Sequence, residues 1–132
     1  MEETIFTKII RGDIPCHKVY EDERTFAFLD ISPITPGHVL VVPKNPVQFL
    51  WDLNAEDYQA VCSTAQKIAH KQREVLEVPY VGEQVIGVDV PHAHIHLIPF
   101  TTVEEYRHIS DANAEPDHEA LAEMARKLKI DD

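Results

Sequence analysis

Cysteine is nearly absent. Among 132 residues only Cys16 and Cys62 occur, far apart and without C-x-x-C spacing, so neither a disulfide framework nor a zinc knuckle is signalled. Basic residues are scarce too, 12 against 23 acidic ones. The resulting formal net charge of -11 argues against a broad nucleic-acid footprint and against an anionic membrane surface as partner. No apolar run approaches the roughly 18 residues of a membrane span. The start, Met1-Glu2-Glu3-Thr4, is acidic where a secretory leader would be basic, so a cytoplasmic protein is expected. Repeats and low-complexity segments are also missing. What remains is 44% apolar, enough for one domain over residues 1–132 with a real core.

Histidine is the exception. Eight occur, and His92, His94 and His96 alternate strictly within Pro91-His92-Ala93-His94-Ile95-His96-Leu97-Ile98-Pro99. Alternate side chains of a strand share a face, so three imidazoles are expected on one wet face. Ala93, Ile95 and Leu97 then fall on the other, with Val90 and Ile98 adding apolar surface for helices. Pro91 and Pro99 bound the run. Three readings compete. A merely solvated or core histidine face is the weakest, since histidine has no special liking for strands. A metal site would use three neutral imidazoles and leave a fourth position open. Phosphate chemistry would use one imidazole as nucleophile and the others as donors to oxygen. Position alone does not separate the last two.

Elsewhere the chain alternates helical and strand patterns. Ile5, Phe6, Ile9 and Ile10 lie at helical spacing, and Arg11-Gly12-Asp13 stops the run. Their apolar side chains suit either a core or the wall of a base pocket. Residues 16–21 and 24–29 read as a hairpin turned at Glu21-Asp22-Glu23. Asp30 at its end reads as a turn former or as a sugar ligand. A loop with Pro33, Pro36 and Gly37 leads to His38, at the mouth of the nearly continuous apolar strand 38–43. Phe49, Leu50 and Trp51 are expected to cover the core. Asn54 is a good helix N-cap. Tyr58, Val61, Cys62, Ala65, Ile68, Ala69, Val75 and Leu76 then predict a long packing helix with one polar gap at Gln72. Residues 78–88 are β-like, with Gly82 and Gly87 marking a turn, bulge or close approach. A short helix over 101–109, a polar loop over 111–117 and an amphipathic helix over 119–128 complete the chain. His17, His70, His108 and His118 have no partner in the pattern and read as surface residues.

The His-x-His-x-His motif does not stand alone. Ile5-Phe6-Thr7-Lys8-Ile9-Ile10-Arg11-Gly12-Asp13-Ile14-Pro15, Val19-Tyr20-Glu21-Asp22-Glu23, Ala27-Phe28-Leu29-Asp30-Ile31-Ser32-Pro33 and His38-Val39-Leu40-Val41-Val42-Pro43-Lys44 accompany it. Together these resemble the nucleotide-binding branch of the histidine triad (HIT) superfamily over about residues 4–100, with a helical C-terminal extension over about 101–132. The resemblance implies an α+β fold: a five-stranded antiparallel sheet with a long packing helix, the sheet extended across a homodimer. It implies a purine nucleotide substrate, cleaved at the α-phosphate of a phosphoramidate- or dinucleotide-like derivative by a metal-independent hydrolase or transferase without cofactor. His94 would be the nucleophile, forming a nucleotidyl-histidine, with His92, His96 and His38 orienting and assisting. Asp30 would hold the ribose hydroxyls, and Ile5, Phe6, Ile9, Phe28 and Ile31 would line the base. A non-catalytic nucleotide-binding module with the same fold is the alternative.

The chain also departs from that pattern. Some relatives carry structural zinc on a C-x-x-C with two histidines. Thr4, Thr7 and Pro46 occupy matching positions here, so no such zinc is expected. Many relatives have an asparagine in the strand before the triad and Gly-Gln-Ser or Gly-Gln-Thr just ahead of it. Val81 and Gly87-Val88-Asp89 replace them. An ionised Asp89 beside a phosphate would repel it, so Asp89 is expected to point elsewhere, orient a histidine, or favour a cationic leaving group.

Overall fold

The computed structural model describes residues 3–131. The Thr7 amide donates to the Thr4 hydroxyl at 3.3 Å and the Thr4 amide to the Thr7 hydroxyl at 2.8 Å, a capping box that starts helix α1 (Ile5–Arg11). Both threonines thus serve as helix caps. Strands β1 (Lys18–Glu21) and β2 (Thr25–Leu29) follow as the expected hairpin, turned by Asp22, whose carboxylate accepts the amides of Arg24 and Thr25. Strand β3 (Val39–Pro43), helix α2 (Ala55–Leu76) and strands β4 (Tyr80–Gln84) and β5 (Ile95–Phe100) come next. The short helix α3 (Val103–Tyr106) and helix α4 (His118–Leu128) complete the order. All pairings are antiparallel, in the order β1-β2-β3-β5-β4, which leaves β4 as an edge.

Strands β2 and β3 are buried at every position, so their continuous apolar runs are covered on both faces. On one face Val61, Ala65 and Ile68 of α2 pack with Val39, Val41, Ile95 and Leu97, joined by Leu121, Ala125 and Leu128 of α4. On the other, Phe6 and Ile9 of α1 pack with Phe26, Phe28, Leu40 and Val42. Asn54 caps α2 as the sequence predicts, accepting the Asp57 amide at 2.8 Å. The buried Asp57 carboxylate accepts from Arg24 and Asn45, which ties the start of α2 to the hairpin and to the loop after β3.

Several expectations need correction. Strand β5 begins only at Ile95, so His92 and His94 precede it rather than alternating along it. The register Val41↔Ile95 would bring Pro43 opposite Ala93, and proline has no N–H with which to continue a ladder. The wet face is also wrong for His92, which is fully buried. Val90 joins the α1 side, not the α2 side. Trp51 is 70% exposed and Phe49 is exposed as well; only Leu50 of that trio reaches the core. Cys62 faces solvent. Gln72, by contrast, is no gap in the stripe but is fully buried. His17 and His118 are partners, with Nε2 and Nδ1 3.0 Å apart. Gly82 does mark a close approach: a Cβ there would lie 2.0 Å from the Tyr106 ring, which folds back from α3 over β4.

Candidate active site

A cavity of about 450 Å3 opens between α1, the ends of β2 and β3, and the segment leading into β5. That volume lies within the range of small-molecule sites. His94, His96, His38, Asp30, Ile31, Phe28, Ile5, Phe6, Ile9 and Asp89 all line it. His92 does not. It stands behind the wall, its Nε2 2.7 Å from the Pro43 carbonyl and its Nδ1 3.5 Å from the Thr4 hydroxyl.

The backbone determines which nitrogen of each ring carries hydrogen, because a carbonyl can only accept. His92 therefore donates from Nε2 to Pro43. His94 donates from Nδ1 to the His92 carbonyl at 2.7 Å, which leaves the lone pair on its Nε2. Phe6 meets the His94 ring edge-on at 5.0 Å between centroids and limits its rotation. His38 accepts the Ile34 amide at Nδ1, 3.1 Å away, so its hydrogen sits on Nε2 and points to Nδ1 of His96 at 3.0 Å. His96 must then carry its own hydrogen on Nε2. Asp30 divides its oxygens: one accepts the Ser32 amide at 2.8 Å as a turn former, the other stands 3.6 Å from His38 Nε2. The turn reading of Asp30 holds without removing it from the cavity.

A profile of the HIT domain matches residues 11–103. The chain belongs to the HIT family. Its relatives include the Bacillus subtilis (strain 168) protein named Protein hit, 42% identical over 74% of this chain and 71% of that protein. The purine nucleoside phosphoramidase of Escherichia coli K12 is 38% identical over 74% of this chain and 87% of its own length. Among solved structures, a Hit-like protein from Bartonella henselae, described as involved in cell-cycle regulation, superposes with a TM-score of 0.84 at 33% identity. That match covers 96% of this chain and 93% of the other.

Among the described residues of this HIT domain, a metal has one set of donors to consider. Asp30, His38 and His96 offer ligand atoms within 4.8 Å of one another. The chemistry of the set is unfavourable, because His38 Nε2 bears the hydrogen that the Ile34 amide forces onto it. An ion there would have to displace that proton or break the backbone contact.

Burial lowers the proton affinity of three imidazoles of this HIT domain, His38, His92 and His96. It holds His96 down to about 4, helped by the neighbouring His94 and His38 and opposed by Asp30 and Asp89. Burial likewise lowers His38, against Asp30, and His92, against its bond to Pro43. These three rings are neutral at pH 7. Between pH 6.5 and 4 the unfolded chain binds protons that the folded chain refuses, so stability is complete above about 6.5 and falls as pH drops. His96 alone should cost on the order of 2–3 kcal/mol across that window. Thermal melts from pH 7.5 to 4.5 check this, and a flat Tm would refute it.

Two residues that line or support the HIT cavity escape sequence reasoning. Gln84 stands directly across from His96 in the β4–β5 register and lines the cavity, a placement no local signal announces. Ser110 brings the C-terminal segment to the same rim.

Proposed function

We propose that this HIT protein is a metal-independent hydrolase or transferase that cleaves purine nucleotide derivatives at the α-phosphate through a covalent nucleotidyl-histidine. One observation carries the reading: His94 gives its Nδ1 hydrogen to the His92 carbonyl, so its Nε2 lone pair is held in a cavity beside His96. Nε2 attacks phosphorus, the N–P bond forms as the bond to the leaving nitrogen breaks, and the amine departs with a proton taken from solvent. Water then attacks the same phosphorus and gives a proton back to solvent as the bond to His94 breaks and the nucleoside monophosphate is released. His96, with its hydrogen on Nε2, donates to the phosphoryl oxygens where negative charge collects, and His38 holds that tautomer. Asp30 accepts the ribose hydroxyls with its outer oxygen. Ile5, Phe6, Ile9, Phe28 and Ile31 provide the apolar bed for the base. The name and likeness of the phosphoramidase relative support the substrate class.

Hydrolysis of adenosine 5′-phosphoramidate by purified protein, with and without a chelator, is the test. Chelator-resistant release of AMP is expected. Binding of AMP without turnover would make the protein a nucleotide-binding module, and activity lost to the chelator would return the histidines to a metal.

Two finer proposals accompany this one. Asp89 lines the cavity and is exposed, and it favours positively charged leaving groups by direct attraction. Asp89→Asn should then narrow the preference for cationic over neutral amines by about 1.5- to fivefold in kcat/KM, the size of an exposed charge pair. An unchanged ranking in both Asp89→Asn and Asp89→Ala removes the idea. The second is a homodimer through the β4 edge, whose Tyr80 is exposed along with the nearby Ile86 and Val88. A monomer in sedimentation at micromolar concentration would exclude it.

A further inference from the structure

Gln72 is a polar side chain in a place built for an apolar one. It lies on the inner face of α2, fully buried, one turn beyond Ile68. Its amide nitrogen donates to two backbone carbonyls, Gly37 at 2.8 Å and Leu97 at 3.1 Å. Its oxygen Oε1 is buried and has no hydrogen-bond partner among the described residues. Burying an amide with an orphaned acceptor is costly, and an aliphatic side chain of similar size would avoid that cost. A purely structural need for packing therefore does not account for the residue. Its two contacts do.

Gly37 immediately precedes His38, and Leu97 immediately follows His96. The β3–β5 ladder ends at Val39↔Leu97, so His38 lies one residue outside the sheet. Gly37 has φ +93°, a conformation that residues other than glycine rarely adopt, and a Cβ there would come within 2.7 Å of Leu76 Cδ1 on α2, so glycine lets the loop lie close to the helix and within reach of the amide. A second tie, from the Thr35 hydroxyl to the Pro99 carbonyl, holds the same loop farther from the histidines. Of these two side-chain ties, the Gln72 amide is the clasp nearer to the point where the two imidazoles meet.

We propose that Gln72 is a positioning residue: by joining the carbonyls of Gly37 and Leu97 it sets the 3.0 Å separation of His38 Nε2 and His96 Nδ1, and so keeps the hydrogen of His96 on the nitrogen that faces the substrate. The catalytic consequence rests on the function proposed above. The effect on the tautomer does not, and it is read separately.

The experiment is 15N NMR of the histidine rings in the wild type and in Gln72→Met, which keeps length and removes the donors, with kinetics on adenosine 5′-phosphoramidate in parallel. In the wild type at neutral pH, His38 and His96 should each show one tautomer, with hydrogen on Nε2. In Gln72→Met the His96 signal should move to a tautomer mixture while His94 keeps its hydrogen on Nδ1. Turnover should fall about 10- to 100-fold in kcat with KM nearly unchanged, as expected for sub-ångström misplacement of a group acting in the transition state. Gln72→Leu serves if the methionine variant does not fold. A wild type already mixed at His96 would overturn the proposal. So would a folded variant with an unchanged His96 tautomer, or one whose loss lies in KM alone. A tautomer shift in a protein that lacks turnover even as wild type would uphold the clasp and refute the function.

Discussion

His94→Ala should abolish turnover of the phosphoramidate, by on the order of 10^4-fold or more, because the first bond to phosphorus has no other nitrogen to form on. Binding of AMP should survive within a few-fold, since the base bed and Asp30 are untouched. Stability should change by about 1 kcal/mol, the worth of one hydrogen bond lost at the edge of an open cavity. The decisive check is a rapid alkaline quench of wild type with substrate labelled at the α-phosphorus. Label held on the wild-type chain, released by acid and missing from His94→Ala, is the expected pattern. A variant that keeps more than about 1% of turnover would place the nucleophile elsewhere.

His92→Ala should show the opposite phenotype, although a single residue separates the two. The His92 ring is fully buried and donates to the Pro43 carbonyl at 2.7 Å. Its loss leaves a cavity and an orphaned carbonyl, together about 3–5 kcal/mol. For a chain of this length that corresponds to a fall in Tm of more than about 10 °C. Because the ring does not line the cavity, the loss of kcat at a temperature where the variant is folded should be far smaller than for His94→Ala. Melting curves and kinetics on the same preparation decide the matter. A wild-type Tm with a deep loss of kcat would put His92 back into the chemistry.

The contrast between these residues also marks where sequence reading stops. Period-two spacing identified a triad whose members differ in environment, but it has no information about where a ladder begins. That depends on Pro43 across the sheet, which cannot donate, and on the bend at Pro91 that turns the His92 amide to the Val90 carbonyl at 2.8 Å. The elements themselves were readable because their signals are local: the cap at Asn54, the turn at Asp22 and the apolar run of β3 each act within a few residues. Ten of the expected site residues lie around one cavity, and that too followed from motifs. Gln84 and the tautomers did not: Gln84 is placed by a contact across strands, and the tautomers by backbone groups whose direction no motif gives. Gln72 was visible as an interruption in an apolar stripe, and such an interruption is itself a signal. A polar residue held in a helical core stripe has partners that periodicity cannot name.

The ring of Tyr106 against Gly82 extends the reach of the structure to other chains. A Cβ at that position would overlap the aromatic ring, so the ring would have to turn off the strand. In a related chain with an aromatic residue where Tyr106 stands, glycine at the position of Gly82 would permit the ring to lie over the edge strand, and a larger residue would require it to turn away.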